Sequence, residues 1–483
     1  MRFLFTFILF TSVFAHAQTA PKPYGATPSK RQLAWHDLEV YGLIHFTPTT
    51  FENKEWGFGD ADPKIFNPSD FNAGQIIKAA KAGGLKGVIL VAKHHDGFAL
   101  WPTKTTDYNI TKSPFRNGKG NLVREIEQAA RKNGLKFGVY CSPWDRNSPL
   151  YGTDQYLAIY QAQLKELYGN YGELFMSWHD GANGGDGFYG GAREKRSIDN
   201  TTYYDWNNTW GITRKMQPMA NIFSDIGLDI RWVGNEDGHA AETSWATFTP
   251  MAPDGKSAAV PGQANYPQSP EGIRNGKFWM PAECDVPLRK GWFYHPKEHP
   301  KSPEMLFDLY LKSVGRGAGL DLGLAPDTRG QLHDDDVKAL KAFGDIVRKT
   351  FQNNFAKGAA ITTTNSRGMN FHPSKMLDHN RNTYWATTDQ IHTASLQIDL
   401  KSAKTFDIVS LQEYIPLGQR IEGFNIEVLE KGSWKKIYDG TSIGAKKLIK
   451  LEKPITASKV KINITKSPVC ITLSEIGLYK QAL

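Results

Sequence analysis

Gly87-Val-Ile-Leu-Val-Ala-Lys-His-His-Asp-Gly-Phe98 opens with six residues free of charge and passes without a spacer into Lys93-His94-His95-Asp96. An apolar run that short, with β-branched members, reads as a strand buried on both faces. The ionisable tail then falls at the strand's C-terminal end. The same pattern recurs from residue 40 to about 325. It predicts strands at Tyr41–Phe46, Gly87–Ala92, Lys136–Cys141, Leu174–Trp178, Ala220–Phe223, Ile230–Val233, Lys277–Met280 and Leu320–Leu324. Helical stretches are predicted at Asn72–Ala82, Gly120–Asn133, Asp154–Tyr168, Pro303–Lys312 and Asp334–Arg348. Short buried strands alternating with helices make a parallel sheet, and eight of them make a closed barrel rather than an open sheet. The fold class is therefore α/β, with a (β/α)8-like barrel over 24–350. No helix is offered between the fifth and sixth strands, so an irregularity is expected there.

Polar residues cluster directly after the strands: His45, then His94-His95-Asp96, Trp144-Asp145, His179-Asp180, Asn235-Glu236 and Glu283. In a barrel these positions converge on the C-terminal face, where such enzymes place their chemistry. Beyond about residue 350 the texture changes to short, partly alternating runs separated by Gly, Pro or Asn, among them Ser395–Leu400, Thr405–Leu411, Ile421–Leu429, Ser433–Tyr438 and Lys459–Ile464. These predict a β-sandwich over 355–483 that either binds ligand or braces the barrel.

A chain of 483 residues, 40% hydrophobic, has enough apolar material for two such domains. At its start, Arg2, the apolar run Phe3–Phe14 and Ala15-His16-Ala17 form a signal-peptide pattern over 1–17, so export to a periplasmic or extracellular space is expected. No later stretch reaches the roughly 18 to 20 apolar residues of a membrane span. Cys141, Cys284 and Cys470 are too few for a disulfide scaffold and lack metal or redox spacing. The net charge of +9 owes much to nine lysines between Lys431 and Lys461, interleaved with strand-like segments. Without an Arg-rich helix or a nucleic-acid-binding signature, they read as a solvated basic face rather than a nucleic-acid site.

Breaking a glycosidic bond with acid/base help needs two carboxylates flanking it, and a retaining enzyme uses one of them as nucleophile. Asp180 ends Leu174-Phe-Met-Ser-Trp-His-Asp180 and is followed by Gly181-Ala182. That position suits a rigid nucleophile, and equally an Asp that caps the next helix. The second carboxylate stays open among Glu236, Asp237, Asp225, Asp229, Glu283 and Asp285, all near later strand ends. Glu236 is carried straight out of a strand by Arg231-Trp-Val-Gly-Asn235, and a neighbouring aromatic could raise its pKa by desolvation. His94-His95-Asp96 invites a metal reading, but adjacent side chains diverge and no H-x-H or H-E-x-x-H spacing supports it. Hydrogen bonds to sugar hydroxyls suit the pair better, with His45, Trp56 and Trp292 completing a polar pocket with an aromatic wall.

These segments resemble the family 29 glycoside hydrolases, the α-L-fucosidases. The matching residues are Tyr41-Gly-Leu-Ile-His45-Phe, Glu55-Trp56, Lys93-His-His-Asp-Gly-Phe98, Lys136-Phe-Gly-Val-Tyr140 and Trp178-His-Asp-Gly181, the last corresponding to the family's nucleophile motif. Cys141-Ser-Pro-Trp144-Asp145-Arg-Asn147 and Arg231-Trp232-Val-Gly-Asn-Glu236 resemble the subfamily acting on α-1,3/1,4-linked fucose in branched, Lewis-type glycans. The resemblance implies an exo-acting retaining enzyme with Asp180 as nucleophile and Glu236 as general acid/base. It places His45, Glu55, Trp56, His94, His95, Tyr140, Trp144, Asp145, Arg231, Trp232 and Trp292 about the fucose, with no catalytic metal. One departure is the Gly-rich stretch Asn183–Arg196, longer than the usual connection and expected to shape the leaving-group side. Leu377-Asp-His-Asn-Arg-Asn-Thr-Tyr-Trp-Ala386 and Ile471-Thr-Leu-Ser-Glu-Ile-Gly477 resemble a discoidin, or coagulation-factor type C, module. Some of its relatives bind carbohydrate and some hold a structural calcium. The rival readings are a broad α-L-fucosidase acting on α-1,2 or aryl fucosides, a metal-dependent hydrolase, and a non-catalytic glycan-binding protein.

Overall fold

The computed structural model describes residues 19–224, 228–250 and 266–483. The expected signal segment 1–17 and the candidate Asp225 lie outside them. Eight parallel strands close into a barrel: β1 Val40–Ile44, β2 Gly87–Lys93, β3 Lys136–Cys141, β4 Met176–Trp178, β5 Asn221–Ser224, β6 Ile230–Trp232, β7 Ala282–Pro287 and β8 Gly319–Leu324. Each strand pairs with its sequence neighbours, and β1 closes on β8 from Val40↔Leu320 to Ile44↔Leu324.

The helices follow local signals. α1 Lys30–His36 starts on a capping box between Ser29 and Gln32. α2 Ala73–Ala82 and α3 Leu122–Lys132 start on Asn72 and Asn121, whose side chains accept from the Gln75 and Arg124 amides. α4 Asp154–Asn170 and α5 Trp206–Met216 cover the strands on either side of β4, and α6 Pro303–Lys312 begins with Ser302 as cap and Pro303 in its first turn. α7 Asp334–Gln352 completes the shell, with three aspartates in its first turn facing the positive end of the helix dipole. Among the described residues no helix lies between β5 and β6, and Ser224 pairs with Arg231.

The seventh strand departs from expectation. The apolar Phe278–Trp279 does not enter the barrel but pairs antiparallel with Thr247–Phe248 in a separate ribbon. The barrel strand is Ala282-Glu-Cys-Asp-Val-Pro287, so Glu283 lies within the strand rather than after it, opposite Gly319 of β8. Its physical reason is the barrel interior. Glu283 reaches across to accept from Trp178 Nε1 at 2.7 Å and from Tyr41 Oη, and Asp285 stands beside Asp321 on β8. A strand whose inward residues are carboxylates has no apolar signature to read.

The C-terminal domain is antiparallel, with β9 Ala360–Thr363, β10 Trp385–Ala386, β11 Ala394–Glu413, β12 Gly423–Glu430, β13 Ser433–Gly440, β14 Lys447–Lys466 and β15 Thr472–Tyr479. The long strands β11 and β14 break register between Asp399 and Lys404 and again between Phe406 and Ile408. Before the break β11 pairs with β9, and after it with β15; both halves pair with β14. Strands that change partners at bulges fold one sheet over on itself. Leu396, Ile398 and Ile426 thereby share one apolar core with Leu411, Leu473 and Leu478. Lys446 and Arg381 tie this domain to Glu39 and Asp37, just before β1.

Candidate active site

A cavity of about 330 Å³ opens at the C-terminal ends of the strands. Its wall includes His45, Trp56, His94, His95, Asp180, Trp232, Glu236 and Trp292 from the sequence reading. Leu43, Trp178 and Phe223 form an apolar floor that the sequence reading missed, Trp178 and Phe223 stacking at 4.3 Å. Strand parity could have found part of this floor, because Leu43 and Trp178 lie two residues before His45 and Asp180 and so face the same way.

Asp180 leaves β4 as a carboxylate with defined partners. Tyr140 Oη donates to Oδ2 at 3.0 Å and the Ala182 amide donates to Oδ1 at 2.7 Å. His95 Nε2 stands 3.7 Å from Oδ2. On the other side of that ring, Ser142 Oγ is 2.8 Å from Nδ1 and also 2.8 Å from the Trp144 carbonyl. The carbonyl can only accept, so the Ser142 proton goes there and its oxygen accepts from Nδ1–H. Nδ1 therefore carries a proton, and burial lowers the pKa of the ring against the opposing pull of the Asp180 charge. Burial pushes His45 down to about 3, and burial, then the neighbouring His95, holds His94 well below the ordinary range. Uncharged imidazoles can hydrogen-bond sugar hydroxyls without neutralising Asp180. The Nδ1 atoms of both His45 and His94 are buried and take no partner from the protein.

Glu236 comes from a turn beyond β6. Trp292 Nε1 donates to its Oε1 at 3.3 Å. Its pKa is raised, first by burial and then by the negative charges of Asp180, Glu55 and Asp237, against the Trp292 hydrogen bond. A carboxyl biased toward its protonated form can act as an acid. A second, wider cavity of about 740 Å³ lies against the same residue, lined by Asp237, His239, Lys290, Lys301 and Met305 among others.

Trp292 is held by its surroundings. Glu55 accepts from the Trp292 and Phe293 amides at 3.0 and 3.3 Å and contacts His295 Nε2 at 2.8 Å. A Cβ on Gly291 would lie 1.8 Å from Glu55 Oε1, and one on Gly323 would lie 2.8 Å from the Trp292 ring. Glycine at both positions therefore lets the indole lie over the barrel mouth. The Trp144 ring backs the wall, 5.2 Å from His95 and 5.6 Å from Trp56.

Of the residues expected at the sugar, Glu55, Tyr140 and Trp144 stand behind the lining, and Arg231 and Asp145 lie elsewhere. Arg231 is buried, and its guanidinium donates to the backbone carbonyls of Ser269, Met280 and Trp245. Asp145 accepts from buried Lys93 and from the Asn147 and Ser148 amides, at 3.2, 3.1 and 2.9 Å. Breaking one partner out of a buried pair costs about 3–5 kcal/mol, which gives Asp145 a structural part. Asp96 is likewise spent, accepting from Thr47, Thr49 and the Phe98 amide. The Gly-rich stretch 183–196 folds into a ribbon, Gly185–Gly187 against Glu194–Arg196, with Gly185 against Trp144. None of its residues lines either cavity, against the expectation that it shapes the leaving-group side.

In the C-terminal domain, Thr383 Oγ1 and the Asn380 amide donate to Asp378 at 2.6 and 2.9 Å. Burial, then the Asp378 charge, raises Glu475 to about 7, and its Oε1 is buried without a protein partner. Among the described residues no three His, Cys, Asp or Glu side chains gather as a metal site. Among the described residues no helix is long and apolar enough to cross a membrane.

The α-L-fucosidase family profile matches residues 24–351, and the F5/8 type C domain profile matches 360–476. Alpha-L-fucosidase 1 of Arabidopsis thaliana is 37% identical over 488 residues, covering 99% of this chain and 93% of that protein. The crystal structure of a glycoside hydrolase 29 family member from an unknown rumen bacterium superposes with a TM-score of 0.84 at 36% identity, over 96% of this chain and 78% of that one. A Ruminococcus gnavus GH29 fucosidase in complex with fucose gives 0.85 at 29% identity, over 96% and 97%. With this barrel, this pocket and these matches along nearly its whole length, the chain belongs to the α-L-fucosidases of glycoside hydrolase family 29 and carries a C-terminal F5/8 type C domain.

Proposed function

We propose that this exo-acting α-L-fucosidase releases L-fucose from α-1,3/1,4-linked, branched glycans by double displacement. Asp180 attacks the anomeric carbon while Glu236 protonates the linkage oxygen, forming a fucosyl–Asp180 ester and a free leaving sugar. Glu236, now a carboxylate, takes a proton from water, which displaces Asp180 and restores the original configuration. The observation that carries this reading is that one cavity is lined by both carboxylates, one hydrogen-bonded by Tyr140 and the Ala182 amide and one biased toward its acid form. His45, His94 and His95 offer neutral partners to the sugar hydroxyls, and Trp292 and Trp56 supply apolar faces. The charge developing on the sugar ring at the transition state is then opposed chiefly by Asp180.

The linkage preference is supported by the Arg231–Glu236 segment and by the wide cavity against Glu236, which has room for a branched leaving group. Digestion of Lewis a, Lewis x, 2′-fucosyllactose and an aryl fucoside tests it. Fast release from the two Lewis trisaccharides with slow release from 2′-fucosyllactose is expected. The reverse order would establish the broad-specificity alternative. Export is inferred from the segment 1–17 and is checked by the N-terminus of the mature protein. A structural calcium in the C-terminal domain, the expectation from its type C resemblance, is checked by chelation: a lower Tm, restored by calcium, is the expected result.

A further inference from the structure

The C-terminal domain grips the barrel at the segment that carries Glu236. Asn235 braces the turn from within: its Oδ1 accepts from the Asp237 and His239 amides, and its Nδ2 donates to the His239 carbonyl at 3.1 Å. The next two residues are pinned to the barrel side, the Ala240 amide donating to Lys312 O at 3.1 Å and the Ala241 amide to Pro270 O at 3.0 Å. From Glu242 onward the C-terminal domain adds partners to those of the barrel side, where Arg316 Nη2 stands 3.0 Å from the Glu242 carboxylate and the Trp245 amide donates to Glu271 O. Lys447 Nζ, buried, donates to both the carbonyl and the carboxylate of Glu242, at 2.6 and 2.7 Å. Tyr438 Oη donates to the same carboxylate at 2.7 Å. Gln419, also buried, works like a strand partner: its Oε1 accepts from the Ala246 amide and its Nε2 donates to Ser244 O, both at 2.9 Å.

β6 ends at Trp232, and beyond it the stretch is held jointly, by the barrel through the Val233 amide to Glu283 O and Arg316 to the Ala240 carbonyl, and by the C-terminal domain through Lys447 and Gln419. An acid that must meet a departing oxygen needs placement to a fraction of an ångström, and displacement of about 1 Å can cost on the order of 100-fold in rate. We propose that the C-terminal domain is part of the acid/base apparatus, with Lys447 and Gln419 as positioning residues that hold the Glu236 turn against the leaving group. The domain acts through backbone placement, whether or not it also binds sugar. This rests on the assignment of Glu236 as general acid/base.

The test compares kcat/KM of the full chain and of Lys447→Met and Gln419→Ala on two fucosides. Dinitrophenyl fucoside needs no protonation of its leaving group, whereas a Lewis trisaccharide does. Because kcat/KM reports only steps through bond cleavage, misplaced acid should lower the trisaccharide value on the order of tenfold and leave the dinitrophenyl value within about twofold. Arg381→Met serves as a control, cutting a separate tie of the domain, to Asp37; it should lower Tm without changing the ratio of the two substrates. Equal losses on both substrates, no loss on either, or the same ratio change in Arg381→Met would overturn the proposal. A wild-type chain that cleaves neither fucoside would instead overturn the function on which it rests.

Discussion

Asp180 and Glu236 line one cavity but are held by different kinds of structure. Asp180 follows a barrel strand directly and takes donors from the neighbouring strand and from its own turn, Tyr140 Oη and the Ala182 amide. Glu236 stands four residues beyond the end of β6, in a turn braced by Asn235 and anchored further on by the C-terminal domain. The nucleophile is supported by the sheet and held by two hydrogen-bond donors. The acid sits where burial disfavours its charge, beside the wider cavity a leaving group would enter. Two identical functional groups are thus differentiated by their surroundings, which is what a retaining mechanism asks of its carboxylates.

The largest effect expected from disturbing this division is at the strand. Asp180→Gly should lower kcat/KM on every fucoside by roughly 10⁴-fold or more, because no substrate escapes the need for a nucleophile. Glu236→Ala should cost about 10²- to 10⁴-fold on trisaccharides while sparing kcat/KM on dinitrophenyl fucoside, since only a poor leaving group needs the acid. Equal losses for Glu236→Ala on both substrates would remove the distinction between the sites. Tyr140→Phe, which deletes one charge-assisted donor to Asp180 and leaves the ring, should cost about 10- to 100-fold, from the 1.5–3 kcal/mol of such a bond.

The smallest effect is a titration. Glu236 works as an acid while protonated, so bond cleavage is lost as pH rises through its pKa, which lies above the ordinary carboxylate range. Asp180→Asn removes one of the charges that, after burial, raise it. The Glu236 pKa followed by NMR in that variant should therefore fall relative to wild type. An unchanged value would mean that the two groups do not feel one another.

The same contrast explains what the sequence disclosed. Strand-borne features were legible because an apolar run and its polar end are adjacent in sequence, as in Gly87–Phe98 and Leu174–Asp180. β7 was hidden because Glu283 and Asp285 point inward, satisfied by Trp178, Tyr41 and Trp232 contributed from other strands. Arg231 and Asp145 carry residue types common in sugar sites, yet their partners are backbone groups and a buried lysine that no local pattern announces. Position alone left Glu236 one of several carboxylates, and only the family resemblance separated it. The support of its turn by Lys447 and Gln419 spans some two hundred residues of chain and has no local signature.

The division of labour is tested most directly by adding azide to the two crippled enzymes and reading the configuration of the fucosyl azide formed from dinitrophenyl α-fucoside. In Asp180→Gly, azide should attack from the vacated nucleophile side and give the β-azide by a single inversion. In Glu236→Ala, it should enter from the acid/base side onto the fucosyl–Asp180 intermediate and give the α-azide. The opposite configurations, or the same anomer from both variants, would contradict the assignment of Asp180 as nucleophile and Glu236 as acid/base.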